Sequence, residues 1–238
     1  MILNNDKPVV LSAHLLDARY EQALADIGIQ LVQKEFVSYS VQYDKQQFLD
    51  RLNDQDTQAR VFTSKASVRS LADLIRSSGL ELRPKKTFTV GIKTTEMLEE
   101  LGVDVAARSN NALSLAQVIA RNPDIKAIDF FCGNLTLNDL PEYLVSKGIK
   151  VHRSEVFDIT MTAKAMAVEK VNALIFCTPS AVYSFFSLNK PSVELPVFCI
   201  GETTAEAVHY RCDNPKIIAD EPTLDSLISK VVEFYSKK

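Results

Sequence analysis

Glycine is scarce in this chain. There are seven among 238 residues, and the closest pair, Gly91 and Gly102, is eleven positions apart. No G-x-G-x-x-G, G-x-x-x-x-G-K or G-x-S-x-G can be written with that spacing, so the usual dinucleotide loop, the P-loop and the nucleophile elbow are excluded. Histidine is scarcer still: His14, His152 and His209 are scattered, and H-E-x-x-H is absent. The four cysteines, Cys132, Cys177, Cys199 and Cys212, lie at least thirteen positions apart. Without a C-x-x-C pair a zinc ribbon or thioredoxin site is not expected, and buried free thiols in a reducing compartment are. No metal site is expected.

Long apolar runs are missing too. The longest uncharged stretch, residues 171–189, is broken by Asn172, Thr178, Pro179, Ser180, Ser184 and Ser187, which suits strand, loop and helix better than a membrane span. The first ten residues carry Asp6 and Lys7 and no apolar signal core, so a cytoplasmic protein without membrane association is expected. Excess charge is lacking as well: the net charge is −3, which argues against a nucleic-acid partner. An apolar fraction of 46% is that of a chain with a packed core, not of a disordered one.

What is present is alternation. Short apolar runs at 9–13, 29–36, 60–63, 88–92, 103–107, 125–132, 149–159, 173–177, 197–200 and 216–219 are separated by amphipathic stretches. Leu71, Leu74 and Ile75 share one helical face, as do Leu224, Leu227, Ile228 and Val231. This pattern predicts α/β architecture with parallel sheets covered on both faces. A weak repeat divides it. Phe62-Thr-Ser-Lys-Ala-Ser-Val68 is similar to Phe176-Cys-Thr-Pro-Ser-Ala-Val182, and Val90-Gly-Ile-Lys-Thr-Thr-Glu96 to Ile200-Gly-Glu-Thr-Thr-Ala-Glu206. Two similar lobes with sheets of about five strands follow. The β-prone segments 34–41 and 152–160 connect them, either as an antiparallel two-stranded hinge or as ordinary edge strands.

The glycines sort by position. Gly28, Gly79, Gly102 and Gly148 end helical stretches, where φ > 0 is often needed. Gly91, Gly133 and Gly201 stand at carboxyl ends of strands, where open parallel sheets bind ligands. The strand-end loops there are rich in hydroxyls: Thr63-Ser-Lys-Ala-Ser67, Gly91-Ile-Lys-Thr-Thr95, Cys132-Gly-Asn134, Thr178-Pro-Ser-Ala181 and Gly201-Glu-Thr-Thr-Ala205. Each hydroxyl has a plain role as a helix cap. Together with helix-start amides and with Lys65 and Lys93, the five loops call for a ligand with several carboxylates or phosphates. Glu202 is the sole carboxylate at a loop tip, and no acid–base constellation accompanies it. Arg83-Pro-Lys-Lys86 reads as a solvated turn, and Asp54 and Asp56 as a polar surface loop.

On these loops the sequence resembles the uroporphyrinogen-III synthase family. The carrying residues are Val61-Phe-Thr-Ser64, Val90-Gly-Ile-Lys-Thr94, Phe131-Cys-Gly-Asn134, Phe176-Cys-Thr-Pro-Ser180, Ile200-Gly-Glu-Thr-Thr-Ala205 and Glu221-Pro-Thr-Leu-Asp225, in order over nearly the whole chain. The resemblance implies two flavodoxin-like lobes joined by a two-stranded β ladder. One lobe would span 1–36 and 160–238, the other 41–152, with 37–40 and 153–159 as connecting strands. It implies an enzyme that uses no cofactor and cyclises hydroxymethylbilane, a linear tetrapyrrole with carboxylate arms; separately, nothing in the sequence demands a partner chain, so a monomer is expected. Ring D is inverted through a spiro intermediate, and water is lost to give uroporphyrinogen III.

Carried over position by position, Ser64, Thr94, Ser180, Thr203 and Thr204 fall on family cleft positions. Lys65, Lys93, Gly133, Asn134 and Thr178 join them as expected substrate contacts. Two departures stand out. Ser12-Ala13-His14 replaces a frequent Arg-Pro after the first strand, and Phe157 replaces a Tyr proposed to assist the departure of water. Phe157 also motivates an alternative in which the chain binds a tetrapyrrole or other polyanion in the inter-lobe cleft without turnover. A two-lobed binding protein of unrelated role is the third reading.

Overall fold

Strands and helices alternate throughout the computed structural model, which describes residues 7–41 and 43–237. Residues 1–6 of the N-terminal segment read above lie outside the described residues. In chain order the elements are β1 (Val9–Ser12), α1 (Ala18–Asp26), β2 (Gln30–Gln33), β3 (Val37–Val41), α2 (Lys45–Asn53), β4 (Ala59–Phe62), α3 (Lys65–Ser78), β5 (Lys86–Val90) and α4 (Ile92–Glu99). They continue as β6 (Val105–Ser109), α5 (Ala112–Ala120), β7 (Ala127–Gly133), α6 (Asp139–Ser146), β8 (Lys150–Met161), β9 (Ala173–Phe176), α7 (Pro179–Leu188), β10 (Val197–Cys199), α8 (Glu202–His209), β11 (Lys216–Ile218) and α9 (Leu224–Ser236).

The chain divides into two compact units, one of Met1–Ser38 with Thr160–Lys238 and one of Tyr39–Ile159. The first holds a five-stranded sheet in the order β11-β10-β9-β1-β2, with every neighbouring pair parallel. Read from the other edge this is the flavodoxin-like order 2-1-3-4-5. The second sheet runs β3-β8-β7-β4-β5-β6. Here the chain enters at β4, winds outward through β5 and β6, and returns to β7 and β8. Without β3 the order is 3-2-1-4-5, so the two sheets differ in winding although both are parallel. The sixth strand, beyond the five expected, is β3. It is formed by the segment read as a connection and lies beside β8. Residues 153–157 of the other connection are also sheet, paired in parallel with β7 as far as Phe157.

The repeat falls on equivalent places. Phe62 and Val90 end the neighbouring strands β4 and β5, while Phe176 and Ile200 end or follow β9 and β10. Central strands β4, β9 and β10 are buried at every position, as near-continuous apolar runs between two helical layers should be. In the second unit α5 and α6 supply Leu115, Ala116, Ile119, Leu140 and Leu144 to one face. Phe48, Leu52, Val68, Leu71, Leu74 and Leu98 of α2, α3 and α4 belong to the cluster on the other. The strongly amphipathic α3 closes at Gly79 with φ 65°, a backbone that an L side chain rarely adopts.

Two charged residues lie buried inside this second core, Asp129 and Arg60. Asp129, in the apolar run of β7, is fully buried and accepts hydrogen bonds from Arg51 Nε (2.9 Å), Arg51 Nη2, Thr57 Oγ1 and Lys85 Nζ (3.4 Å). Its register neighbour Arg60 is also buried and donates to the carbonyls of Leu52 (3.2 Å) and Arg83 (2.8 Å). Burial pulls the Arg60 guanidinium below its ordinary value, with Asp129 opposing. Lys85 is pulled the same way, first by burial. The reading of 83–86 as a solvated turn therefore fails at Lys85, whose amine also donates to Asp54 O (2.7 Å) and Thr57 Oγ1 (2.6 Å). Asp54, read as surface, is ion-paired to Arg51 at 2.6 Å. The carboxylate thus ties α2 and the segments before β4 and β5 to the amino ends of the strands.

Removing one partner of a buried ion group strands the others, typically at ~3–5 kcal/mol. Asp129→Ala is expected to lose about that much in urea unfolding. The exposed pair Lys93–Glu96, 3.0 Å apart, should cost under about 1 kcal/mol when broken by Lys93→Ala. Equal effects of the two substitutions would mean that Asp129 does not organise the unit.

Candidate functional site

Where strand order reverses in an open parallel sheet, the loops after two neighbouring strands leave toward opposite faces and open a crevice at the carboxyl ends. Each unit has one such switch point. In the first it lies between β1 and β9, in the second between β4 and β7. The loops at these points contain Ser12–His14 and Thr178–Ser180 in the first unit, and Ser64, Lys65, Gly133 and Asn134 in the second. Lys93 and Thr94, like Thr203 and Thr204, lie one strand further out, after β5 and β10.

Ser64 and Thr178 are built alike. Both are extended N-caps, at φ −149° ψ 152° and φ −149° ψ 147°. Their hydroxyls accept the N–H of Ser67 (3.2 Å) and Ala181 (3.3 Å). Each also stands beside a second hydroxyl, Ser67 Oγ at 3.3 Å and Ser180 Oγ at 3.2 Å. Ser64 also donates its proton to Ser67 Oγ, and the buried Ser67 hydroxyl donates to Ser64 O at 2.8 Å, whereas between Thr178 and Ser180 either hydroxyl can donate and the other keeps its proton. The outer loops are built differently. Gly91 and Gly201 are the N-caps of α4 and α8, and no described side chain caps either helix. The first-turn amides of these two helices carry the positive end of the helix dipole with nothing of the side chains spent on it. At Gly91 the φ of 80° requires glycine.

The paired threonines separate by helical phase. Thr94 and Leu98 form the buried side of α4, and Thr204, Ala205, Ala207 and Val208 that of α8. Thr203 and Glu202 are exposed, as are Lys65 and Lys93. Thr94 and Thr204, both expected to contact substrate, are buried, at 4% and 2% exposure. Lys93 shares its charge with Glu96.

The loop after β7 is organised by Gly133, Asn134 and Phe157 together with Thr136 and Arg153, which the sequence reading did not single out. The β7–β8 register shifts between Cys132 and Gly133, setting Gly133 opposite Phe157. Phe157 is 3% exposed, packs in the core beside Phe131 and Val156, and lies with its ring tilted at 6.4 Å from Tyr39. A Cβ on Gly133 would meet its Cε2 and Cζ at 2.5 Å. Both backbone groups of Gly133 are taken. Its N–H donates to Thr136 Oγ1 (3.0 Å), and its carbonyl accepts from Thr136 N (3.1 Å) and Arg153 Nη2 (3.2 Å).

Asn134 acts as a stand-in strand residue. Its Oδ1 accepts the N–H of Ile159 (2.8 Å), and its Nδ2 donates to the carbonyl of Ile159 (3.3 Å). Arg153 reaches under the loop to Asn138 Oδ1 (2.7 Å), and its Nε is buried with no partner among the described residues. No spacing rule marks Arg153, which sits in a mixed β-prone run. Gly133 and Asn134 therefore shape the rim, and their own polar groups are engaged within it.

Burial pushes the Cys132 thiol up to about 11 and that of Cys199 up to about 12, so both are poor nucleophiles. Among the described residues no group of three or more His, Cys, Asp or Glu could hold a metal ion, and no helix is long and apolar enough to cross a membrane.

The family model for uroporphyrinogen-III synthase HemD matches residues 18–229. No curated protein sequence matches the chain. Among solved structures, a mutant uroporphyrinogen III synthase of Thermus thermophilus superposes with a TM-score of 0.69 at 16% identity, covering 97% of this chain and 100% of that one. The uroporphyrinogen-III synthetase of Helicobacter pylori gives 0.62 at 15% identity, covering 95% and 99%. The wild-type Thermus thermophilus enzyme gives 0.55 at 17% identity, covering 97% and 98%. At these identities the likeness is one of fold.

Gly133→Ala is expected to destabilise the protein by ~1–3 kcal/mol, the usual cost of overpacking. Phe157→Leu should recover part of that loss in the double variant, since the clash is with the Phe157 ring. Urea unfolding of the four-protein cycle reads the coupling, and additive effects would show that ring and glycine do not meet.

Proposed function

The chain belongs to the uroporphyrinogen-III synthase family, and on that footing we propose that it cyclises hydroxymethylbilane with ring D inversion and loss of water to give uroporphyrinogen III. The observation that carries this reading is the repeated rim. In each unit a capped hydroxyl pair stands at the switch point, and an uncapped glycine-started helix stands one strand out. A linear tetrapyrrole presents carboxylates at intervals along its length. Neutral hydroxyls and helix-start amides bind such arms with charge-assisted hydrogen bonds and without burying a fixed cation.

Chemistry by holding suits this arrangement. The hydroxymethyl carbon and its target pyrrole carbon are parts of one molecule, so fixing the chain in a closed shape makes bond formation effectively unimolecular. Phe157 has no proton to give and is packed in the core, so departure of water does not depend on a phenol there. The reaction proposed needs no cofactor or metal. Ser64, Lys65, Lys93, Thr178, Ser180 and Thr203 are the side chains proposed to meet the substrate.

The test is to supply hydroxymethylbilane and measure the ratio of isomer III to isomer I. Unassisted closure gives isomer I, so excess III is the expected outcome, and isomer I alone at any enzyme concentration would overturn the reading in favour of binding without turnover. In the same assay Ser64→Ala, Ser180→Ala and Thr203→Ala should each cost about threefold to tenfold, as for one neutral hydrogen bond. Loss of a general acid typically costs ~100-fold to 10,000-fold. A folded Glu202→Ala protein that lost activity on that scale would replace holding with acid–base catalysis.

A further inference from the structure

The turn Arg83-Pro-Lys-Lys86 forms one wall of a cavity of about 440 Å³ at the amino ends of β4 and β5, the end of the sheet opposite to the rim. The segment from Leu52 to Gln58, between α2 and β4, forms the other wall. Small-ligand sites are commonly of this size. Arg83, Lys85 and Lys86 line it as cations and Asp54 as a carboxylate, and Asp54 is already ion-paired to Arg51. Arg83 and Lys86 are exposed and enter no ion pair among the described residues. The wall behind them holds unbalanced charge. Arg51, Arg60 and Lys85 are set against Asp129 and Asp54, three cations to two carboxylates. The carboxyl end of α2 takes part of the difference, since Leu52 O accepts from Arg60 and Asp54 O from Lys85. A helix end carries only ~0.5 of a charge, so positive charge remains. Arg60 shows the shortfall directly. It is 2% exposed, it donates to one carbonyl on each wall, Leu52 O and Arg83 O, and its Nε has no partner among the described residues.

Surplus charge in such a wall is costly unless a counter-charge shares it. We propose that this cavity is a second anion site, which takes a compact oxyanion of two or more negative charges, a phosphorylated or polycarboxylate small molecule. Arg83 and Lys86 meet the anion directly. Lys85 contributes its charge from the wall and not its protons, because its amine is already bonded to Asp54 O, Thr57 Oγ1 and Asp129. Asn53 and Gln55, exposed on the same lining, add amide donors. The site lies away from the rim and does not depend on the function proposed above. An anion there joins the 52–58 segment to the 83–86 turn from outside, as Asp129 joins them from within. The level of such an anion then sets how firmly the second unit is folded, whatever the rim holds.

The experiment adds pyrophosphate or citrate to the whole protein, with sodium chloride at equal ionic strength as the reference, and reads thermal unfolding and titration calorimetry. At ~100 times its dissociation constant the bound anion should raise the unfolding midpoint by about 5–10 °C. The anion that raises it further distinguishes phosphate from carboxylate chemistry. Arg83→Ala/Lys86→Ala changes only exposed side chains, so in chloride it should unfold within about 2 °C of wild type. It should bind the anion ~10-fold to 100-fold more weakly, since both direct contacts are lost. Arg83→Lys/Lys86→Arg retains the charges and should retain the shift. Lys65→Ala/Lys93→Ala removes the rim cations and should retain it as well. An equal shift in Arg83→Ala/Lys86→Ala, loss of the shift in the rim variant, or no shift of wild type with either anion would overturn the site. No hydroxymethylbilane is present in the scan, so its outcome is separate from the isomer ratio that tests the function itself.

Discussion

A strand that pairs in parallel with its neighbour must be reached by crossing the sheet, and in this chain the crossing element is nearly always a helix. Each such helix starts just past the carboxyl end of a strand, so helix amino ends, with their unpaired amides, collect along one edge of each sheet. At the point where winding reverses, neighbouring helices depart to opposite faces and leave that edge open. Ser64, Lys65, Gly91, Lys93, Gly133, Thr178, Gly201 and Thr203 all sit on those edges, which is why loops far apart in sequence share a composition.

The two units meet this constraint with different windings but the same pair of devices. At the switch point an extended Ser or Thr caps the departing helix and keeps a second hydroxyl beside it. One strand outward a glycine starts the helix and leaves its first amides bare. The third device, the Gly133–Asn138 loop with Arg153 beneath it, belongs to the second unit alone among the described residues. In it the β7–β8 register shifts at Gly133, the Phe157 ring lies where a Gly133 Cβ would be, and Asn134 bonds to Ile159.

Much of this was legible because it is periodic. Apolar runs marked ten strands to within a few residues, and the 3.6-residue face of α3 and α9 was visible in Leu71, Leu74, Leu227 and Ile228. The strand-end position of Gly133 was legible too, but the reason for the glycine was not, since it depends on a ring twenty-four positions away. Adjacent threonines differ in a way that the sequence does not display. Composition cannot say that Thr203 faces water and Thr204 the core when one residue of helical phase decides it. Asp129 passes unmarked within the apolar run 125–132, and Lys85 reads as part of a solvated turn, because a buried charge is recognisable only through partners brought from elsewhere. The segments 37–40 and 153–159 read as two connecting strands, and β3 does lie beside β8; what was not legible is that β8 also joins the second sheet through β7.

The buried charges and the ligand loops of the second unit lie at opposite ends of one sheet, and this separation bears on how such a protein can diverge. Asp129, Arg51, Arg60 and Lys85 clasp the amino ends, where any change disturbs folding. Exposed rim side chains at the carboxyl ends, such as Lys65, Lys93 and Thr203, are not part of the core, so a substitution at one of them is filtered by ligand contact and scarcely by stability. A lineage can rewrite such a rim loop by loop without passing through an ancestor that fails to fold. Homologous chains can then keep one architecture at 15% to 17% identity, and drift on the rim becomes raw material for new selectivity rather than a hazard to the scaffold.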